Sequence, residues 1–135
     1  MQSIKSMYRC LEFIVHNLSM LDILDNSVNK NEQEIAKRAK DILLKNYVEA
    51  PTIPQLAKLC ATNDFKLKKA FKNVYKTTIY SYIQKLRLEK ANLLLKEDNL
   101  SIKEVARSVG YSHSGYFAKL FFKTYGVYPK DIISF

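Results

Sequence analysis

A chain of 135 residues with 47% apolar content can bury one substantial core, or two small ones that share a helix. Three Gly and three Pro leave little room for loop-rich architecture, and no run of about 18 uncharged apolar residues exists, which excludes a helical membrane span. Of the formal charge of +9, most lies beyond residue 46, where 15 basic side chains face seven acidic ones.

A basic segment of this kind favours a polyanion, because each phosphate neutralised releases a condensed counterion. Charge alone does not separate that reading from a merely solvated Lys-rich surface. Lys5, Arg9 and Glu12 interrupt the N-terminal apolar residues and no small-residue cleavage site follows, so a cytoplasmic location is expected. Cys10 and Cys60 show no zinc or CxxC spacing, and His16 and His113 are the other soft ligands. Free buried thiols are expected, with redox or metal sensing as the alternative, and no cofactor is implied.

In chain order, Ile4, Met7, Tyr8, Leu11, Ile14, Val15, Leu18 and Leu21 recur at three- and four-residue steps and predict an amphipathic helix within residues 1–28. The polar stretch 25–31 is the best candidate boundary. A second helix is expected from Asn31, with Glu34 completing a capping box and Ile35, Ala39, Ile42 and Leu43 on one face, ending near Asn46 ahead of Pro51. Helices over about 53–59 and 64–74 then form a turn-helix pair. A long helix over about 78–96 is apolar on more than one face, which suits burial between two subdomains. A second pair follows over about 102–109 and 114–125.

The two pairs repeat. Thr52-Ile53-Pro54-Gln55-Leu56-Ala57 moved forward by 49 lands on Ser101-Ile102-Lys103-Glu104-Val105-Ala106. After one extra residue in the second turn the offset becomes 50, pairing Leu67 with Phe117, Lys69 with Lys119, Phe71 with Phe121 and Tyr75 with Tyr125. The expected fold is therefore all-α: helix-turn-helix one over about 52–75, a connecting helix over about 78–96, helix-turn-helix two over about 101–125, and the extra N-terminal helix. Two such units in one chain can address adjacent stretches of a DNA major groove without a second subunit.

Projected at about 100° per residue, helix 64–74 turns Leu67, Ala70, Phe71 and Val74 inward and Phe65, Lys68, Lys69 and Lys72 outward. Lys on an outer face is ordinary, but an outward aromatic near the start of such a helix suits a thymine methyl better than water. The second unit is expected to bury Phe117, Leu120, Phe121 and Thr124 and to expose Gly115, Lys119, Phe122 and Lys123. Gly110 suits a positive-φ helix end, and Ser112 or His113 can cap the next helix while donating toward a phosphate. No acid, nucleophile or second ligand can be placed beside His113, which argues against a catalytic or metal role.

The stretches SIKEVARSVGYSHSGYFAKLFFKTYGVYP and TIPQLAKLCATNDFKLKKAFKNVYKTTIYSYIQKLRLEKANLLL resemble the AraC/XylS family of bacterial transcription regulators, over residues 31–135. The wording NDFKLKKAFKNVYKTT is most similar to the siderophore-responsive branch. The resemblance implies a sequence-specific double-stranded DNA-binding regulator, generally an activator, that sets two recognition helices in adjacent major grooves and has RNA polymerase as a further partner. The family's base-contacting positions match Phe65, Lys68 and Lys69 in the first unit and Ser114, Gly115, Tyr116 and Lys119 in the second, with Ser112 and His113 near phosphate. Lys66, Lys72 and Lys123 complete the expected surface. Lys76, Gly115 and Phe122 depart from the family's usual Gly, polar residue and Lys; Gly115 cannot read a base edge by side chain.

Residues 1–28 resemble the last helices of the effector-sensing domain that precedes this module in many members, which makes the chain a C-terminal piece; alternatively the helix packs on its own domain or self-associates through residues 4–21. A protein-interaction module that kept the fold without binding DNA is the competing function. An enzyme is disfavoured, since no carboxylate pair, nucleophile–base set or Gly-rich phosphate loop is present.

Overall fold

The computed structural model describes residues 29–97 and 99–133. The apolar stripe over residues 4–21, with Cys10 and His16, lies outside them. The described residues form seven helices and no strand: α1 (Lys30–Asn46), α2 (Ile53–Leu59), α3 (Asp64–Tyr75), α4 (Ile79–Glu97), α5 (Ile102–Ser108), α6 (Ser114–Tyr125) and α7 (Pro129–Ile133).

Local chemistry sets most of the starts. Thr52 Oγ1 accepts from the Gln55 amide at 3.3 Å while Gln55 Oε1 accepts from the Thr52 amide at 2.9 Å, and Ser101 and Glu104 repeat this box at 3.1 Å each way. The bonds from Ser101 hold the Glu104 carboxyl below its ordinary range. The expected cap at Asn31 is corrected: α1 begins one residue earlier than Asn31, and Asn29 Oδ1 accepts from the Glu32 amide at 2.7 Å. The expected cap from Ser112 or His113 is corrected too. His113 occupies the N-cap position of α6, yet no side chain closes on the first-turn amides, because the imidazole lacks the short oxygen arm that Asn63 uses on Lys66. The helix α7 was not expected.

The two turns match in detail. Ala61 (φ 55°) and Gly110 (φ 111°) stand at equivalent places, and the following amides of Thr62 and Tyr111 each reach back 2.9 Å to Ala57 and Ala106 carbonyls. Ser112 is the inserted residue that moves the offset from 49 to 50.

Two cores result. Ile35, Ala39, Leu43, Leu56, Leu67, Phe71, Ile79 and Ile83 form the first; Leu88, Ala91, Leu95, Val105, Val109, Phe117 and Phe121 form the second. The connecting helix α4 serves both. Ile79 and Ile83 lie on one side of it, and Leu88, Ala91 and Leu95 about 130° further round, so its buried stripe changes face halfway along. Val74 and Leu120 are only half-buried, and Thr124, expected inside, is exposed, because the core face of α6 is centred on Phe117 and Phe121 and its last turn overhangs it. Cys60 is buried and free, with burial pushing its thiol up despite Arg38 nearby.

One side chain ties the halves together. From the middle of α4, Arg87 Nε donates to the Tyr47 carbonyl at 2.7 Å and Nη2 to the Val48 carbonyl at 3.2 Å, just beyond the end of α1. The same guanidinium lies 5.2 Å from the centre of the Tyr111 ring in the second turn. A Cβ on Gly110 would stand 2.6 Å from the Val48 carbonyl oxygen and 2.8 Å from Arg87 Nε. Glycine is thus required there by φ and by space.

Gly110→Ala is expected to lower unfolding free energy by about 1–3 kcal/mol through backbone strain, and Arg87→Leu by a similar amount through two unpaired carbonyls. Urea melts of the single and double variants check this: because both act on one contact, the double variant should lose less than the sum.

Candidate nucleic-acid interface

The surface is built from the outer faces of α3 and α6. On α3, Leu67, Ala70 and Phe71 are fully buried, so the opposite face presents Phe65, 74% exposed, with exposed Lys68, Lys69 and Lys72. These four, with Asp64 on α3, Ile53 on α2, and Thr78, Ile79 and Tyr80 at the head of α4, line an open groove of about 840 Å³. Its floor is largely apolar and its rim carries three ammonium groups against one carboxylate, an arrangement that attracts an anion bearing flat or methylated groups. Lys66 is exposed but stands apart, beside Arg38 and Lys58 around a second hollow on the other flank.

On α6 the buried Phe117 and Phe121 leave Ser112, His113, Gly115, Tyr116, Lys119 and Lys123 exposed and Ser114 half-buried. Lys69 and Lys119 occupy the same outward position in the two units. The others differ. Opposite Phe65 stands Gly115, where a Cβ would meet nothing within 4 Å. Opposite Lys72 stands Phe122, stacked on Tyr128 at 4.5 Å and 21°, with Lys130 Nζ 5.7 Å from the Tyr128 ring centre. The space that forms an open groove in the first unit therefore has an aromatic wall in the second.

Tyr80, not expected at the surface, also reaches it and meets the expected Tyr116 there. The Tyr80 and Tyr116 hydroxyls are 3.0 Å apart, joining the head of α4 to α6, and Tyr116 packs edge-on against Tyr111 at 6.1 Å. The bond to Tyr80 raises the Tyr116 phenol above its ordinary range, with its slight burial adding to the shift. Carrying the 50-residue offset past Tyr125 would have shown part of this: Thr78, Ile79, Tyr80 and Ile83 map onto Tyr128, Pro129, Lys130 and Ile133, so α7 is the second unit's copy of the head of α4. Ile79 and Pro129 are both buried. Among the described residues no group of three or more His, Cys, Asp or Glu side chains could hold a metal, and no helix is long and apolar enough to cross a membrane.

A family profile described as a helix-turn-helix domain matches residues 56–133, more than half of the chain. The chain belongs to the AraC-type helix-turn-helix family. This AraC-type chain is 33% identical over 85 residues to the bifunctional transcriptional activator/DNA repair enzyme AdaA of Bacillus subtilis, a match covering 63% of this chain and 40% of AdaA. It is 38% identical over 65 residues to the transcriptional activator RhaR of Mannheimia succiniciproducens, covering 48% of this chain and 24% of RhaR. The chain thus spans less than half the length of these relatives. The C-terminal domain of AraT, a response regulator from Geobacillus stearothermophilus, superposes with a TM-score of 0.68 at 29% identity, covering 73% of this chain and 83% of that one. The all-helical, two-unit architecture is shared with AraC-type DNA-binding domain structures.

Since a side chain at position 115 projects into open space from within a helix, Gly115→Ala is expected to raise unfolding free energy by up to about 1 kcal/mol. A thermal melt checks the sign.

Proposed function

We propose that this chain is the DNA-binding part of a transcription regulator, an activator, that sets α3 and α6 in adjacent major grooves of one duplex. The observation that carries the reading is the exposed, matching placement of Lys69 and Lys119 on two copies of one turn-helix, held by a helix common to both cores. Phe65, Lys68 and Lys69 read bases in one groove and Ser114, Lys119 and the ring of Tyr116 in the next; Lys72, Lys123, Ser112 and His113 meet phosphate, and Lys66 contributes from the flank. Gly115 adds backbone approach without side-chain readout, so the first unit carries more of the specificity. AdaA and RhaR are named as transcriptional activators, which supports activation and RNA polymerase as a second partner. The 19 residues of α4 rise about 28 Å, somewhat short of the roughly 34 Å between successive major grooves on one face.

Gly115 and the Phe122–Tyr128 stack favour one alternative, a protein-interaction module that retains the fold. Titration of the chain into mixed-sequence duplex separates the two: a module of that kind leaves the duplex free.

Lys69→Ala and Lys119→Ala are each expected to weaken binding to the selected site by about 1–3 kcal/mol with the fold intact. With roughly six phosphate contacts, log K should fall against log salt with a slope near −5. Electrophoretic mobility or fluorescence anisotropy at several salt concentrations tests both; unaltered affinity of both variants overturns the equivalence of the two units.

We further propose that residues 1–28 are the tail of an upstream sensing domain or an association surface, separable from DNA recognition. Removing them should leave a folded, DNA-binding chain. Circular dichroism and melting of the shortened protein check this, and an unfolded product moves the domain boundary upstream of Asn29.

A further inference from the structure

Between the two readers lies a pair of hydroxyls, those of Tyr80 and Tyr116; base reading engages the Tyr116 ring and neither oxygen. Tyr80 is 61% exposed and Tyr116 48% exposed, with their oxygens 3.0 Å apart across 36 residues of chain. Tyr80 is also a wall of the groove that holds Phe65, Lys68, Lys69 and Lys72. Tyr116 shares a helical stripe with Lys119 and Lys123, three and seven residues on. The pair is thus bordered by lysines of the first unit on one side and of the second on the other. A polyanion that engages both sets passes over it.

The hydrogen-bond arithmetic gives the pair a polarity. Each phenol has one O–H, and the bond between them uses only one, so one donor of this exposed pair stays uncommitted. Its position is also fixed in advance. Tyr116 rests edge-on against Tyr111, whose ring lies against the Arg87 guanidinium, and Tyr80 belongs to the first turn of α4. A donor held this way loses little rotamer freedom on binding.

We propose that the Tyr80–Tyr116 pair is an uncharged phosphate contact, gripping the backbone between the two half-motifs; this rests on the DNA-binding reading above. The contact carries no formal charge, so it releases no counterion, and because its oxygens meet phosphate they read no base. Those two properties distinguish it from every lysine on the surface.

The test uses the full chain and the duplex it selects from a random library. Tyr80→Phe and Tyr116→Phe remove only a hydroxyl, and each should weaken binding about tenfold, the size expected for a hydrogen bond to a charged acceptor. The selected bases and the salt slope should stay as they are, whereas Lys69→Ala should flatten that slope by about one. A duplex with a single methylphosphonate between the half-motifs should bind the unaltered chain more weakly, and Tyr80→Phe should lose nothing further on it. Binding equal to that of the unaltered chain by both Phe variants overturns the proposal, as does a changed base preference or salt slope. A loss that tracks a fall in melting temperature overturns it as well, since the hydroxyls would then act through the fold. If the unaltered chain binds no duplex, the DNA-binding reading fails and the proposal fails with it.

Discussion

The arrangement of the described helices depends on a cation in contact with backbone. Arg87 reaches from the connecting helix to the carbonyls of Tyr47 and Val48 and to the face of Tyr111, so three segments distant in sequence meet at one guanidinium. Its planar fork suits this, because separate N–H groups serve two oxygens while the flat face remains for an aromatic ring. Gly110 is the complement of that arrangement, for the 2.6 Å approach to Val48 leaves no room for a side chain. Whatever α3 and α6 touch, α4 holds them relative to each other through its packing in both cores, and this contact and the Tyr80–Tyr116 bond add to that hold.

The duplication kept the scaffold and changed the surface. Capping boxes, positive-φ turns and buried aromatics recur at matching positions. On the outer faces, Lys69 and Lys119 remain alike, while Phe65 aligns with Gly115, Lys66 with Tyr116 and Lys72 with Phe122. Packing restricts the first set and solvent permits the second. The stacked Phe122 and Tyr128 put aromatic rings in one unit where Lys72 and Thr78 line the groove in the other.

Much of this was legible in the sequence because the decisive signals are local. Hydroxyl, amide and acid spacing marked Thr52 and Ser101 as caps, and the ranges of α2 and α6 follow from periodicity. Where local signals tie, sequence reasoning chose wrongly: Asn29 with Glu32 and Asn31 with Glu34 read alike. The earlier start coincides with a distant contact, since Asn73 on α3 donates to Glu32 at 2.9 Å. The lysine-bearing faces were readable from helix projection, apart from Lys66, whose flank position needs the neighbouring Arg38 and Lys58. Arg87 could not be found this way. Its partners are main-chain oxygens 39 and 40 residues away, which leave no complementary side chain to notice. The tyrosine pair is hidden because its two side chains lie 36 residues apart on different helices, and α7 is too short to show a period, although the 50-residue offset points to it.

The change of buried face along α4 also bears on the order in which the chain becomes structured during synthesis. Every buried residue of the first core lies between Ile35 and Ile83, so that core is complete in sequence before Leu88 has been added. Domains generally fold as they emerge, N-terminal first. The first unit can therefore close while the second is still in the ribosomal exit tunnel, and the half of α4 already folded gives the later half a template from which to extend. Arg87, four residues past Ile83, waits with its carbonyl partners already formed and its Gly110 turn still to come. Nascent-chain length would then decide when the second unit docks.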